Sequence, residues 1–192
     1  NGKIFLIDPL TGVQYRSYHP YQNGYCTQLL QLENNLVATT SNVIEDKTYK
    51  IRIWNIYTGK TLFNLFGHRN KVDQIGLVSN EVLISLNGFD QSFRFWNLTT
   101  GTLLMHKLNE KNRINSFIPL SANLFAVQTY SSSYDKRYDS KFSYFYYDIN
   151  TDKFTGQYKP DIRFTKFSRL NDGTFLFYNE INQNLSLVCQ TY

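Results

Sequence analysis

Five residues recur four times along this chain, and their spacing constrains the fold more than any other feature. The pentamers Asp8-Pro9-Leu10-Thr11-Gly12, Asn55-Ile56-Tyr57-Thr58-Gly59, Asn97-Leu98-Thr99-Thr100-Gly101 and Asp148-Ile149-Asn150-Thr151-Asp152 share one pattern. Each follows an apolar or aromatic residue: Ile7, Trp54, Trp96 and Tyr147, which are 47, 42 and 51 positions apart. A further 42 positions beyond Tyr147 falls on Cys189, at the end of an apolar run from Leu185. Periods of this length mean stacked supersecondary units, none of which buries its apolar face alone.

A second column tests the first. Leu32 to Leu36, Val78 to Val82, Leu120 to Leu124 and Leu170 to Thr174 enclose Glu-Asn-Asn, Ser-Asn-Glu, Ser-Ala-Asn and Asn-Asp-Gly, residues that tolerate tight-turn geometry and so read as hairpins. From each pentamer's last residue to the next hairpin the distance is 20, 19, 19 and 18 residues, whereas from hairpin to aromatic column it is 22, 18, 27 and 19. All the length variation therefore falls in one half of the unit.

The unit at 67–109 is the best formed. Val72 to Val78, Val82 to Leu86, Ser92 to Trp96 and Thr102 to Leu108 read as four antiparallel strands, the second a nearly continuous apolar run. The same reading places strands at Thr27–Leu32, Leu36–Ser41, Tyr49–Trp54 and Lys60–Leu65 in 25–66, and at Asn115–Leu120, Leu124–Thr129, Phe142–Tyr147 and Lys153–Tyr158 in 110–160. Partial units occupy 1–24 (Lys3–Ile7, Val13–Tyr18) and 161–192 (Thr165–Leu170, Thr174–Tyr178, Leu185–Cys189). Fifteen Tyr and fifteen Phe suit strands, because wide rings pack on a pleated, half-buried surface. No segment carries a helical period. The expectation is an all-β chain of four-stranded blades, a β-propeller.

At Gly67-His68, Asp90 and Trp96-Asn97 the chain resembles the Trp-Asp (WD) repeat family, in which a Gly-His pair precedes the first strand and Trp-Asp ends the third. Asn87 to Asn97 is similar to that family's second turn and third strand; Asn97 and Asn55 replace the usual final Asp, and Asp8 and Asp148 keep it. The resemblance implies a segment of a larger disk, commonly of about seven blades. It also implies a structural relay in which His68 lies between Asp90 and Ser85 and Ser85 reaches the Trp96 indole N–H. Burying the Trp96 ring then contributes about 2 to 3 kcal/mol, and each buried polar group left unpaired would cost about 1 to 3 kcal/mol.

Ser85, His68 and Asp90 would also compose a hydrolytic triad, but a nucleophile must meet a cleft and oxyanion donors, and Ser85 sits in a run of Val, Leu and Ile. His19, His68 and His106 lack the companions of a zinc site. Gly67-His68-Arg69-Asn70-Lys71 lacks the second Gly and the Gly-Lys-Ser/Thr ending of a phosphate loop. No catalytic residue, metal or cofactor is expected. Cys26 and Cys189 are too few for a disulfide scaffold and read as small buried hydrophobes. No apolar run approaches the roughly 18 residues of a membrane span, so an intracellular, cytoplasmic setting without membrane association is expected, with the nucleus open. The opening Asn, in place of Met, reads as an excised piece of a longer chain.

Both expanded connections, Asn42 to Tyr49 and Tyr130 to Lys141, join a second strand to a third, which in a propeller places them on one rim with the links between blades. The candidate partner surface on that rim comprises Arg69, Lys71, Phe89, Arg113, Tyr130, Tyr134, Arg137 and Tyr138, rings and cations suited to a protein interface. The expected role is a non-catalytic scaffold or adaptor binding a protein or peptide within an assembly. Two alternatives stand beside it: a nucleic-acid or ribonucleoprotein component using Tyr134, Arg137 and Arg113, and a propeller-based enzyme. The net charge of +5 is a small excess, and the basic stretches Lys107–Arg113 and Lys159–Arg169 are interrupted by Glu110 and Asp161, so nucleic acid is not favoured.

Overall fold

Asx chemistry explains why the pentamer is a turn. In the computed structural model, Asn97 Oδ1 accepts hydrogen bonds from the backbone N–H of Thr99 (2.8 Å) and Thr100 (2.9 Å). Asn55 Oδ1 does the same for Tyr57 (3.0 Å) and Thr58 (2.9 Å), and Asp8 Oδ1 accepts from Leu10 at 2.8 Å. Asn and Asp occupy this column interchangeably because only the oxygen is used. The loop then closes through a glycine: Gly101 N–H donates to Asn97 O, and Gly59 to Asn55 O, both at 2.8 Å. Those glycines have φ of +72° and +73°, where a side chain would strain the backbone.

The structure describes residues 3–21, 24–42, 49–108, 113–121, 123–131, 141–148, 150–151, 153–158, 166–169, 175–179 and 184–188. Seventeen strands follow one another without a described helix, and none of the described residues forms a helix long and apolar enough to cross a membrane. The chain divides into two compact units, Asn1–Glu110 and Lys111–Tyr192.

The first unit holds three sheets. Strands β1 (Ile4–Ile7) and β2 (Gln14–Tyr18) form a hairpin; β3 (Cys26–Gln31), β4 (Leu36–Ser41), β5 (Tyr49–Asn55) and β6 (Thr61–His68) form a four-stranded antiparallel meander; β7 (Gln74–Ser79), β8 (Val82–Asn87), β9 (Ser92–Asn97) and β10 (Leu103–Leu108) form another. The second unit holds the four-stranded meander β11 (Arg113–Pro119), β12 (Leu124–Ser131), β13 (Lys141–Asp148) and β14 (Lys153–Tyr158), and a three-stranded sheet of β15 (Lys166–Arg169), β16 (Phe175–Asn179) and β17 (Asn184–Val188).

Each four-stranded sheet buries its middle strands most deeply. Every residue of β8 from Leu83 to Asn87 and every residue of β9 from Ser92 to Trp96 is buried, matching the continuous apolar runs of a strand covered on both faces. The core of the first unit lies between two sheets: Leu32, Ala38, Ile51, Ile53 and Leu65 from one pack with Val72, Ile75, Leu83 and Trp96 from the other. The hairpin joins the same stack, with Tyr18 edge-on to the Trp54 ring at 5.0 Å and its hydroxyl donating to Tyr57 O at 3.1 Å.

Strand boundaries match the sequence reading to within a few residues, with one instructive difference. Strand β6 runs on to His68, beyond the expected end at Leu65. The register slips between Tyr49, opposite His68, and Lys50, opposite Phe66, leaving Gly67 as an unpaired bulge residue. Gly67 has φ of +144°, and a Cβ there would meet Arg94 Nη1 at 3.0 Å. The positive φ favours glycine, and a Cβ would in addition crowd the tip of the Arg94 side chain.

Candidate functional site

The link between β6 and β7 and the turn between β8 and β9 meet on one rim of the first unit. His68 closes strand β6, yet its side chain reaches into the next sheet, where Nε2 stands 2.7 Å from Ser85 Oγ. The Trp96 indole N–H donates to the same Ser85 oxygen at 2.8 Å. His68 Nδ1 lies 3.7 Å from Asp90 Oδ2, an electrostatic contact longer than a direct hydrogen bond. The exposures are 3% for His68, 0% for Ser85 and 1% for Trp96, so the group lies inside the protein.

Protonation follows from this placement. Burial pushes the His68 imidazole below its ordinary pKa, against the opposing pull of Asp90. A neutral ring with hydrogen on Nδ1 faces the carboxylate and leaves Nε2 to accept from the Ser85 hydroxyl, while Ser85 Oγ accepts from Trp96. Burial raises the Asp90 carboxyl, but the His68 ring and the Ser92 hydroxyl more than offset it, holding the pKa at about 2. The indole and hydroxyl hydrogens then meet acceptors, while His68 Nδ1 faces the Asp90 carboxylate across 3.7 Å without a hydrogen bond.

The preceding sheet repeats the arrangement with other residues. Trp54 Nε1–H donates to Thr39 Oγ1 at 3.0 Å, and the Tyr21 hydroxyl, arriving from the link before β3, donates to the same oxygen at 3.0 Å. Tyr21 thus stands where His68 stands, and Pro20-Tyr21 takes the place of Gly67-His68. In the four-stranded sheet of the second unit the group is absent as a set among the described residues. Register puts Tyr147 opposite Phe125 and Phe145 opposite Val127, so Val127 occupies the position of Ser85 and Thr39. With no indole N–H to satisfy, that position needs no hydroxyl. Its buried polar group sits one residue on, at Gln128, whose Oε1 accepts from Asn115 Nδ2 (2.6 Å) and Ser116 Oγ (3.1 Å) and whose Nε2 donates to the Tyr144 hydroxyl (2.8 Å).

Three of the rim residues singled out in the sequence are described with their side chains. Phe89, at the β8–β9 turn, is 68% exposed. Arg69 is exposed, and its backbone N–H points to Asp90 Oδ2 at 3.4 Å. The Lys71 ammonium stands 3.6 Å from Asp73 Oδ1 with most of its side chain in solvent. The turn that carries Phe89 is held by Asn87, whose Oδ1 accepts from the N–H of Phe89 (2.8 Å) and Asp90 (3.0 Å). Arg113 and Tyr130 are paired across β11 and β12 by backbone register, and their side chains lie outside the described residues. Tyr134, Arg137 and Tyr138 lie wholly outside them, as do 43–48 and 132–140, the bulk of the two expanded connections.

One pair of side chains lies outside the expected site residues. Arg52 and Arg94 each stand two residues before a tryptophan, opposite Thr39 and Ser85. The repeated Arg-x-Trp spacing was the available signal.

No protein-family model matches the chain, and no curated protein matches it. Solved structures do. The C-terminal WD40 domain of Sif2 matches with a TM-score of 0.68 at 19% identity, over 100% of this chain and 53% of that one. A chain of the mitotic checkpoint complex matches with a TM-score of 0.70 at 17% identity, over 97% of this chain and 57% of that one. The chain thus spans little more than half the length of these structures. Sheet order, repeat turns and structural likeness agree that the chain has the WD40-type β-propeller fold.

Proposed function

We propose that the chain is a non-catalytic interaction module that presents the rim carrying Arg69, Lys71 and Phe89 to a protein or peptide partner. The observation that carries this reading is Phe89. A phenylalanine 68% exposed at the tip of an ordered turn, beside the exposed Arg69, gives an aromatic and cationic anchor on a rigid support. Loops held by a stiff scaffold are favoured places for recognition.

The side chains that resemble a triad are already committed. Ser85 Oγ is sealed from solvent and engaged by both Trp96 and His68, which leaves no attacking lone pair beside a cleft. At the β3–β4 hairpin, a depression lined by Gln31, Leu32, Glu33, Asn34, Asn35 and Leu77 offers one carboxylate, Glu33, which accepts from Asn80 at 2.5 Å. One of the structures sharing the fold is that of the mitotic checkpoint complex. Each point favours an assembly component over an enzyme.

The test is affinity capture from native extract with three forms: the intact chain, the Arg69→Ala/Phe89→Ala double variant, and a form with the 130–141 connection shortened. Proteins held by the intact chain and lost from the double variant are the expected result. Identical partner lists for all three forms would remove this rim from the function.

A further inference from the structure

The two best-formed sheets place an arginine at the same point, and the two guanidinium groups meet different fates. Arg52 Nη1 donates to Pro20 O, and its guanidinium carbon lies 5.1 Å from the centre of the Tyr21 ring. In the next sheet Gly67 stands in place of Pro20, and Arg94 packs against it. Arg94 is only 8% exposed, yet among the described residues no acceptor or carboxylate pairs with its side chain. Its Nε is sealed without a partner, while the terminal nitrogens are not among the sealed atoms and form the reachable edge.

Asp90 attracts the Arg94 guanidinium from beyond pairing distance, and a second cation opposes it. Arg69 lies near enough that its charge opposes that of Arg94, and both also act on His106. Asp90, the neighbouring carboxylate among the described residues, is shared among His68, the Ser92 hydroxyl and the Arg69 backbone. A guanidinium held away from water gains strongly from an acceptor, and its planar fork suits a group with two oxygens in one plane.

We propose that Arg94 and Arg69 bind an oxyanion carried by a partner polypeptide, a side-chain carboxylate or a phosphorylated side chain, while Phe89 packs against the residues flanking it. The polypeptide source rests on the function proposed above; the anion site rests on the two guanidinium groups alone. Arg94 supplies the fixed fork and exposed Arg69 the mobile one.

The test follows the arginine Nε–H resonances of the full chain during titration with inorganic phosphate, and separately with acetate, at ionic strength held constant with sodium chloride. The expected result is a saturable shift of Arg94 with both anions, weakened about tenfold in Arg69→Gln, the loss of one charge-assisted hydrogen bond. Arg94→Lys, which keeps the charge but loses the fork, is expected to bind acetate more weakly while staying folded. Absence of a saturable Arg94 shift, or equal affinities in all three forms, would overturn the site. Two peptides differing only in phosphoserine against glutamate then separate the sources: tighter phosphoserine binding assigns the phosphorylated side chain, equal binding the carboxylate. A single-stranded oligonucleotide bound more tightly than either peptide, with a steep salt dependence, would overturn the polypeptide assignment. Phosphate binding without any rim-dependent partner in the capture experiment would refute the functional reading and leave the anion site standing.

Discussion

Ser85 is one hydroxyl that satisfies two buried groups, so its removal exposes more than its size suggests. Ser85→Ala leaves the Trp96 N–H and His68 Nε2 without partners inside the protein, and stability is expected to fall by about 1 to 3 kcal/mol for each group left unpaired, read by urea denaturation. A loss within experimental error would show that the three residues do not act together. The same group sets an acid sensitivity. His68 is depressed by burial, so the folded state binds fewer protons than the unfolded chain; its contribution is whole above the ordinary histidine value of 6.5 and erodes as pH falls through it toward the folded pKa. Asp90, held at about 2 against an ordinary 3.8, keeps its own contribution until far more acidic pH. Comparing unfolding midpoints at pH 7.5 and 5.5 is expected to show a drop that His68→Asn flattens. At this scale the sequence was legible wherever residue type dictated the contact: a buried indole demands an acceptor two positions along the facing strand. Tyr21 was not legible, because a phenol reaching the same oxygen carries none of the Gly-His pattern.

Turns show how the elements are encoded. Gly12 and Gly101 occupy the same place in the first and third pentamers with φ of +70° and +72°, but a Cβ at Gly12 would meet nothing within 4 Å, whereas at Gly101 it would lie 2.5 Å from the Phe63 ring. Gly12→Ala is therefore expected to cost only backbone strain, about 1 to 2 kcal/mol, and Gly101→Ala distinctly more. Equal losses in thermal denaturation would mean that the neighbouring sheet yields freely. The pentamers were readable because Asx oxygen and left-handed glycine are local requirements, independent of the rest of the fold. The extension of β6 to His68 was not, since it depends on a bulge at Gly67, which stands against Arg94, a residue in another sheet.

Within the first unit, protection is uneven. No described residue of β1 or β2 is buried, while β8 and β9 are sealed almost throughout. Amides of β8 and β9 are expected to exchange slowest and those of β1 and β2 fastest, by hydrogen exchange at neutral pH; the reverse order would contradict a core centred between the second and third sheets. Repeat spacing disclosed this plan because each sheet is assembled from neighbours in sequence. It did not disclose which rim residues cooperate, which depends on how separate sheets bring Arg69, Arg94 and Asp90 together. His68 is backbone of one sheet and side chain of the next, so a scissile point or permuted terminus introduced between Phe66 and Gly67 would strip the earlier sheet of its last rung and free the backbone that holds His68 in place for the later one. The chain is better opened after Arg69, where the transfer is complete.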